Sequence, residues 1–251
     1  MVASETEEQH LSDLEHVFSI LATHNSRLFV DKCLFFQSSL LFLGYTISSE
    51  GVRPPEDRLS AITSTPPPET AKDLRRFMGM LNFFRHMVPR FAHIAHPVTE
   101  LLRHNMSSKS LPWTEESRAA FDTLKQALNS CPTLSFPDPR TSQYQLVTDA
   151  SSYAMGAARY QMIDGSPCPV GFFSRKFSDL QKTHSAYDRE LLAAYNAVFH
   201  FRPFIDGNAV TLFTDHKPLV SAFISNSIAK SDRQQRQLSF LSEYVSKMEY
   251  I

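Results

Sequence analysis

Two stretches, Gln145-Leu146-Val147-Thr148-Asp149 and Thr211-Leu212-Phe213-Thr214-Asp215, decide the fold of this chain. Each has the length and the β-branched or aromatic content of a buried strand. Each also ends on an aspartate, at the point where the chain leaves the predicted sheet. A carboxylate in that position is directed toward the edge of the sheet, where side chains from separate elements can meet.

A helix is predicted between these two strands, beginning at Ser185. Ser185 is a good N-cap and an acid, Asp188, follows it three residues later, which is typical of a helix start. Glu190 therefore lies in the first turns of the helix, where it can face the same point as Asp149 and Asp215. The apolar residues that repeat at helical spacing are Leu191, Leu192, Tyr195, Val198 and Phe199.

Three carboxylates that converge on one point repel one another, and without a cation at least one of them must bind a proton. Mg²⁺ is a hard cation that prefers carboxylate oxygens together with water and substrate phosphate. Two such ions a few ångströms apart form a site that cleaves phosphodiester bonds. The alternative is that Asp149, Glu190 and Asp215 are solvated acids at strand ends and a helix start.

The composition indicates folded domains, because 42% of the 251 residues are hydrophobic and 12% are aromatic. The formal net charge of −1 gives no whole-molecule argument for nucleic acid. One segment is locally basic, since residues 72–109 contain seven cations against Asp73 and Glu100. This segment can follow a phosphate backbone, or it can be a solvated helix face. The cations are Lys72, Arg75, Arg76, Arg85, Arg90, Arg103 and Lys109.

The cysteines and the N-terminus indicate an intracellular protein. Cys33, Cys131 and Cys168 are widely spaced and form no CxxC pair, which argues against a disulfide framework or a zinc site. Residues 1–10 are acidic and lack the apolar core of a signal peptide. No apolar run approaches the length of a membrane span, so we expect a protein that is neither secreted nor bound to a membrane.

Two proline-rich stretches, residues 65–70 and 131–139, predict domain boundaries. Before the first, the pattern predicts an amphipathic helix over 5–23 and a small antiparallel unit within 28–47. Between the two, helices are predicted over 72–86, capped by Thr70 or its neighbour, and over 92–102, the latter interrupted by Pro97. A third begins after the cap Thr114. After the second boundary, strands are predicted over 155–163 and 169–174, and the Ser185 helix is expected to stop near Pro203.

Four linked motifs resemble the ribonuclease H domain of gypsy-class LTR-retrotransposon Pol polyproteins. They are Thr-Asp-Ala-Ser at 148–151, Phe-Ser-Arg-Lys at 173–176, Tyr-Asp-Arg-Glu-Leu-Leu-Ala at 187–193 and Thr-Asp-His-Lys-Pro-Leu at 214–219. Residues 74–85 resemble the helical thumb of the reverse transcriptases in these polyproteins. Residues 41–52 resemble the hairpin that holds the primer end in the retroviral enzymes, although ordinary strand packing is the alternative.

The resemblance implies an α/β fold with an α+β N-terminal part. Residues 1–64 would be a partial palm, 65–139 a helical thumb and connection, and 140–251 a ribonuclease H-like mixed sheet with flanking helices. We expect this last domain to be truncated, without its closing strand, its last helix and the family's fourth carboxylate. We also expect an interior fragment of a polyprotein without a polymerase site. Arg159 departs from the family pattern, because it stands where the strand normally buries a leucine.

The resemblance implies that Asp149, Glu190 and Asp215 bind two Mg²⁺ ions, with Mn²⁺ possible, and hydrolyse RNA in RNA:DNA hybrids. The hybrid and the rest of the Pol polyprotein would be the partners, in a retroelement particle in the cytoplasm or in the nucleus. The alternative is a nucleic-acid-binding remnant without chemistry, and an integrase core fits poorly because Glu190 precedes Asp215. The expected nucleic-acid contacts are Arg75, Arg76, Arg85, Ser151, Arg175 and His216, the last of which could instead cap a helix.

Overall fold

The computed structural model describes residues 1–103, 110–138, 143–225 and 231–251. These residues form two compact units, Met1–Ser38 and Ser39–Ile251. The predictions that involve Lys109 and the boundary between 139 and 140 lie outside the described residues. Within the described ranges, none of the helices combines the length and the apolar character needed to cross a lipid bilayer.

The first unit contains the predicted N-terminal helix, α1 (Glu7–Thr23), which begins after the N-cap Thr6. Its expected apolar face is not a buried face, because no residue of α1 is buried in the structure. Leu11 and Phe18 are exposed. The helical periodicity was therefore a correct guide to the local structure, whereas burial depends on tertiary contacts that periodicity does not specify.

The second unit begins with a small antiparallel sheet, formed by β1 (Ser39–Phe42), β2 (Tyr45–Ser48) and β3 (Gly51–Arg53). The sequence predicts such a unit, but its predicted range of 28–47 is wrong, because residues 28–38 contain no strand and the sheet extends to Arg53. Helices α2 to α6 follow and share one core. Thr70 and Thr114 cap α3 and α6 as expected. The helices are α2 (Glu56–Ser64), α3 (Ala71–Phe83), α4 (Phe91–Ile94), α5 (His96–Glu100) and α6 (Glu115–Asn129). We refer to residues 56–129 as the helical segment.

The structure corrects the end of one predicted helix and confirms the interruption of another. Helix α3 ends at Phe83 rather than continuing to residue 86, and a single 3-10 turn, Arg85–Met87, follows it. The helix predicted over 92–102 is two short helices, α4 and α5, and Pro97 occupies the first turn of α5. Pro97 has no backbone N–H and is well accommodated only in the first turn of a helix.

The C-terminal part contains a five-stranded mixed sheet with the strand order β6-β5-β4-β7-β8. Strands β6, β5 and β4 pair antiparallel, whereas β4, β7 and β8 pair parallel. Asp164 and Gly165 form the predicted hairpin turn, both with positive φ. The strands are β4 (Gln143–Ala150), β5 (Ala154–Ile163), β6 (Ser166–Lys176), β7 (Ala209–Thr214) and β8 (Lys247–Tyr250), and the helices are α7 (Asp179–Lys182), α8 (Ala186–Ile205), α9 (Lys217–Ser225) and α10 (Asp232–Tyr244).

The expectation that the closing strand is missing is wrong, since β8 pairs with β7 and completes a five-stranded sheet. Its sequence is Lys-Met-Glu-Tyr, and Met248 is its buried residue. So short and charged a segment has no apolar pattern that would predict a strand. Helix α8 also extends past Pro203 to Ile205. Packing of Phe201 and Ile205 in the core offsets the hydrogen bond that Pro203 cannot make in the last turn.

Arg159 is a cation buried inside the sheet, and its side chain packs among aromatic rings. Its side chain is buried, and its guanidinium carbon lies 4.5 Å from the ring centre of Phe204 and 5.6 Å from those of Tyr144 and Phe201. Its Nε and Nη1 atoms have no hydrogen-bond partner among the described residues. Cation–π attraction therefore replaces hydrogen bonds at this site, and burial lowers the pKa of the guanidinium.

The helical segment is docked on the edge strand β6. The buried Ser174 hydroxyl accepts a hydrogen bond from the backbone N–H of Ala92 at 3.0 Å. The Arg85 guanidinium donates to the Ser174 carbonyl oxygen. Two ion pairs extend this contact, from Lys176 to Glu100 at 3.2 Å and from Arg103 to Asp179 at 2.8 Å.

We predict that Ser174→Ala lowers the free energy of unfolding by about 1–3 kcal/mol, because the buried N–H of Ala92 then has no acceptor. Urea denaturation checks this value. Ser242→Ala is the matched control, since the Ser242 hydroxyl donates to Ser239 on the exposed surface of α10 and its loss should change stability by less than about 0.5 kcal/mol. Equal effects of the two substitutions would contradict the docking role of Ser174.

Candidate metal centre and active site

Parallel pairing of β4 with β7 places the two aspartates next to each other. Thr148 and Thr214 are register partners, and Asp149 and Asp215 each follow them by one residue. Neighbouring strands in a sheet lie about 4.8 Å apart, so the two carboxylates leave the same edge of the sheet side by side. The register of β4 and β7 therefore explains why both strand ends point to one place, as the sequence predicts.

Helix α8 supplies the third carboxylate from above the sheet. Ser185 caps the helix by accepting from the backbone N–H of Asp188, as predicted. Glu190 lies on the buried side of α8, together with Leu191, Ala194 and other core residues, and is 6% exposed. The core packing of α8 thus fixes the position of a side chain that would otherwise remain in water.

Carboxylate oxygens of Asp149, Glu190 and Asp215 all lie within 4.8 Å of one another. Among the described residues, these three are the group that offers such a set of ligand atoms. Asp215 is exposed and Asp149 is half-buried, so the cluster opens to solvent on one side. The structure therefore brings together the three residues that the sequence motifs single out.

The electrostatics of the cluster indicate a cation site. Burial, together with the negative charges of Asp215 and Asp149, raises the pKa of Glu190 to about 8, although a backbone hydrogen bond from Ala150 opposes the shift. The Oε2 atom of Glu190 is buried and has no hydrogen-bond partner among the described residues. A buried carboxylate oxygen without a donor, in contact with two further carboxylates, fits a hard divalent cation.

The residues expected to contact nucleic acid have varied surroundings. Arg75 and Arg76 are exposed on α3, and Arg175 is exposed on β6 with Asn196 as a hydrogen-bond partner at 3.5 Å. Ser151 closes the turn after β4, because its hydroxyl accepts from the backbone N–H groups of Tyr153 and Ala154. The contacts of these four residues with nucleic acid therefore remain predictions.

Two of the expected contacts are engaged inside the protein. Arg85 is half-buried between the helical segment and β6, where it donates to Ser174 and lies over the ring of Phe91. The Arg85 guanidinium therefore takes part in the contact between the helical segment and β6. The His216 ring accepts from the backbone N–H of Leu219 at 3.2 Å, which is the helix-capping role that the sequence left open.

Arg90 is a site residue that sequence reasoning missed. Its Nη2 atom lies 3.2 Å from Oδ2 of Asp149, although Arg90 precedes α4 in the helical segment and belongs to none of the four motifs. The one available signal was its place in the basic segment 72–109. Near Arg90, the rings of His93 and His96 both lie against the ring of Tyr153.

Comparison with known proteins agrees with this architecture. Residues 113–212 match the family described as the RNase H-like domain found in reverse transcriptase. The chain is 32% identical over 98% of its length to the retrovirus-related Pol polyprotein from transposon 412 of Drosophila melanogaster, and covers 19% of that protein. It is 30% identical over its full length to the transposon Tf2-3 polyprotein of Schizosaccharomyces pombe, again covering 19%.

Two solved structures share the fold. The foamy viral protease-reverse transcriptase dRH in complex with double-stranded DNA superposes with a TM-score of 0.82 at 21% identity, over 99% of this chain and 44% of that chain. The foamy viral protease-reverse transcriptase in complex with an RNA/DNA hybrid gives 0.79 at 22% identity, over 99% of this chain and 34% of that chain.

The fold and the acidic cluster define an RNase H-like domain preceded by a helical segment. The chain is similar over nearly its whole length to polyproteins of transposons, and its residues 113–212 match the RNase H-like domain found in reverse transcriptase. It spans about a fifth of the length of these polyproteins.

We predict that Mg²⁺ binding at pH 7 releases close to one proton, because a group with a pKa of about 8 is mostly protonated there and must ionise to bind the ion. The apparent affinity should rise about tenfold per pH unit below pH 8 and level off above it. Titration calorimetry in buffers of different ionisation enthalpy measures the proton release. Glu190→Gln should abolish the release, and a heat of binding that is independent of buffer at pH 7 would contradict the raised pKa.

Proposed function

We propose that this chain carries a ribonuclease H that hydrolyses RNA in RNA:DNA hybrids by metal-dependent endonucleolytic cleavage. We further propose that it belongs to a Pol polyprotein of the gypsy class. One observation carries the proposal: Asp149, Glu190 and Asp215 converge within 4.8 Å in an RNase H-like sheet. Solvated acids at strand ends, the alternative reading of the sequence, would have no reason to bury Glu190 beside two other carboxylates.

The three carboxylates would hold two Mg²⁺ ions, or Mn²⁺. When bound, such ions supply an activated water and stabilise the charge that develops on the phosphate and the leaving oxygen. Asp149, at the end of the strand that pairs with β7 and packs against α8, would hold the ions together with the buried Glu190 and the exposed Asp215.

We base the proposed contacts with the substrate on polar side chains at the surface of the chain. Arg75 and Arg76 on α3 and Arg175 on β6 are exposed cations that could contact phosphates. Ser151 follows Asp149 closely and could contact the backbone of the hybrid. Recognition of hybrid geometry and of 2′-hydroxyl groups requires no base-specific contacts, which suits a nuclease that acts throughout a hybrid. The foamy viral relative bound to an RNA/DNA hybrid supports this choice of substrate.

A nucleic-acid-binding remnant without chemistry is the second candidate. One observation favours it, since the Arg90 guanidinium lies 3.2 Å from the Asp149 carboxylate, where a metal ion would otherwise bind. Under either candidate we propose the domain division at residues 64 and 139, an intracellular location, and the rest of the polyprotein as a partner.

We expect Asp149→Asn to abolish Mg²⁺- or Mn²⁺-dependent cleavage of a labelled RNA:DNA hybrid while hybrid binding persists. The amide keeps the shape of the side chain but removes the charge that holds the cations. A gel assay of cleavage and a fluorescence-anisotropy assay of binding check the two parts.

The matched control for this variant is Asp164→Asn, in the exposed turn between β5 and β6. Asp164 has a φ of 51°, a backbone conformation that asparagine adopts readily, so the control should cleave like the wild type. If wild type and Asp149→Asn are equally inactive while both bind hybrid, the chain is the binding remnant instead.

A further inference from the structure

Arg90 is held in an uncommon backbone conformation at the edge of the acidic cluster. It is the N-cap of α4 with φ 53° and ψ 30°, in the left-handed region that L-residues other than glycine, asparagine and aspartate rarely adopt. No side-chain cap hydrogen bond stabilises this helix start. The conformation therefore needs support from tertiary contacts on both sides of the residue.

Those contacts come from the docking of the helical segment on β6. On the N-terminal side, the Arg85 guanidinium donates to Ser174, and on the C-terminal side the backbone N–H of Ala92 donates to the same serine. Farther along, Glu100 pairs with Lys176. Arg90 therefore lies between Arg85 and Ala92, which both bind Ser174. These two contacts fix the position from which the Arg90 side chain extends.

The side chain then crosses the strand next to Asp149. Gly156 is the register partner of Asp149 on β5, and a Cβ atom there would lie 3.9 Å from Cγ of Arg90. The guanidinium reaches Asp149 at 3.2 Å and His93 at 3.4 Å, both through Nη2. Burial lowers the pKa of His93, so its imidazole is neutral at pH 7 and can accept this hydrogen bond.

We propose that Arg90 is a positioning residue of the acidic cluster, which holds Asp149 while metal is absent and must release it when a divalent cation binds. The helical segment, which precedes the RNase H-like sheet, thereby sets the metal affinity of the site. The inference rests on the proposed function for the identity of the site, but its test measures the binding of the metal ion alone.

The size of the effect follows from the exposure of the pair. The Arg90 side chain is 59% exposed and that of Asp149 is 40% exposed, and ion pairs in such positions are weak. A divalent cation can therefore displace the guanidinium at a small cost. Removal of the guanidinium should tighten Mg²⁺ binding by about two- to fivefold, which is the fold-change that corresponds to a weak surface pair.

Titration calorimetry with Mg²⁺ at 0.15 M salt tests the proposal on three variants of the whole chain. We expect Arg90→Ala to bind Mg²⁺ about two- to fivefold more tightly than the wild type, and Arg90→Lys, which keeps the charge, to return close to the wild-type value. All of these residues carry a Cβ atom, so the backbone strain at position 90 is the same in each.

Arg202→Ala is the control for nonspecific charge. Arg202 is an exposed arginine on the same helix as Glu190 and twelve residues farther on, which places it about 18 Å along the helix axis. That distance exceeds the screening length of about 8 Å at this salt concentration, so its removal should leave the Mg²⁺ affinity unchanged. An equal effect of Arg90→Ala and Arg202→Ala would overturn the proposal.

The proposal is also overturned if Arg90→Ala, folded by circular dichroism, binds Mg²⁺ as the wild type does or more weakly. Should Arg90→Ala fail to fold, the wild-type protein provides a second measurement, because the Nε–H resonance of Arg90 should shift on addition of Mg²⁺. An unchanged resonance at saturating Mg²⁺ would contradict the release of Asp149. Failure of the proposed function would give a different result. The chain would then not cleave the hybrid, but the order of Mg²⁺ affinities among the wild type and the variants would be unchanged.

Discussion

The pairing of β4 with β7 is the constraint on which the rest of the structure depends. Parallel strands bring their carboxyl ends to the same edge, and the Thr148–Thr214 register puts Asp149 and Asp215 one residue beyond that pair. A shift by one residue would direct one of the two side chains to the opposite face of the sheet. The buried Leu146–Leu212 pair opposes such a shift, because the leucine of the shifted strand would leave the core.

The packing interactions that form the hydrophobic core therefore also position the three carboxylates. Helix α8 packs on the sheet through Leu191, Ala194, Val198 and Phe201, and the same face of the helix carries Glu190. Packing offsets the unfavourable burial of a carboxyl group close to two others. A proton on Glu190 relieves part of the repulsion among the three carboxylates at pH 7, and a bound cation would replace that proton.

Much of the domain could be predicted from its sequence, because local signals and tertiary structure agree there. The β-branched strands ending at Asp149 and Asp215, and the cap at Ser185, are encoded within a few residues. Strand β8 was missed because its four residues contain a lysine and a glutamate and have no apolar periodicity. Its pairing depends on the exposed edge of β7 rather than on its own sequence.

The role of Arg90 could not be predicted for a different reason. Fifty-nine residues separate it from Asp149, and the contact exists because Ser174, on a third element, binds the backbone of Ala92 and the side chain of Arg85. Such a three-way contact leaves no periodic pattern in any one segment. Arg85, which the resemblance to a reverse-transcriptase thumb implied as a phosphate contact, instead binds Ser174 in this docking contact. The helical segment is consequently part of the surroundings of the acidic cluster.

The central claim is that Asp149, Glu190 and Asp215 share bound divalent cations. A crystal soaked in Mn²⁺ tests it most directly, since the anomalous scattering of manganese locates the ion without assumptions about its ligands. We predict anomalous density between the three carboxylates, with oxygens of all three residues in contact with it. Density bound elsewhere on the chain, or three carboxylates that remain free of metal at millimolar Mn²⁺, would contradict the claim.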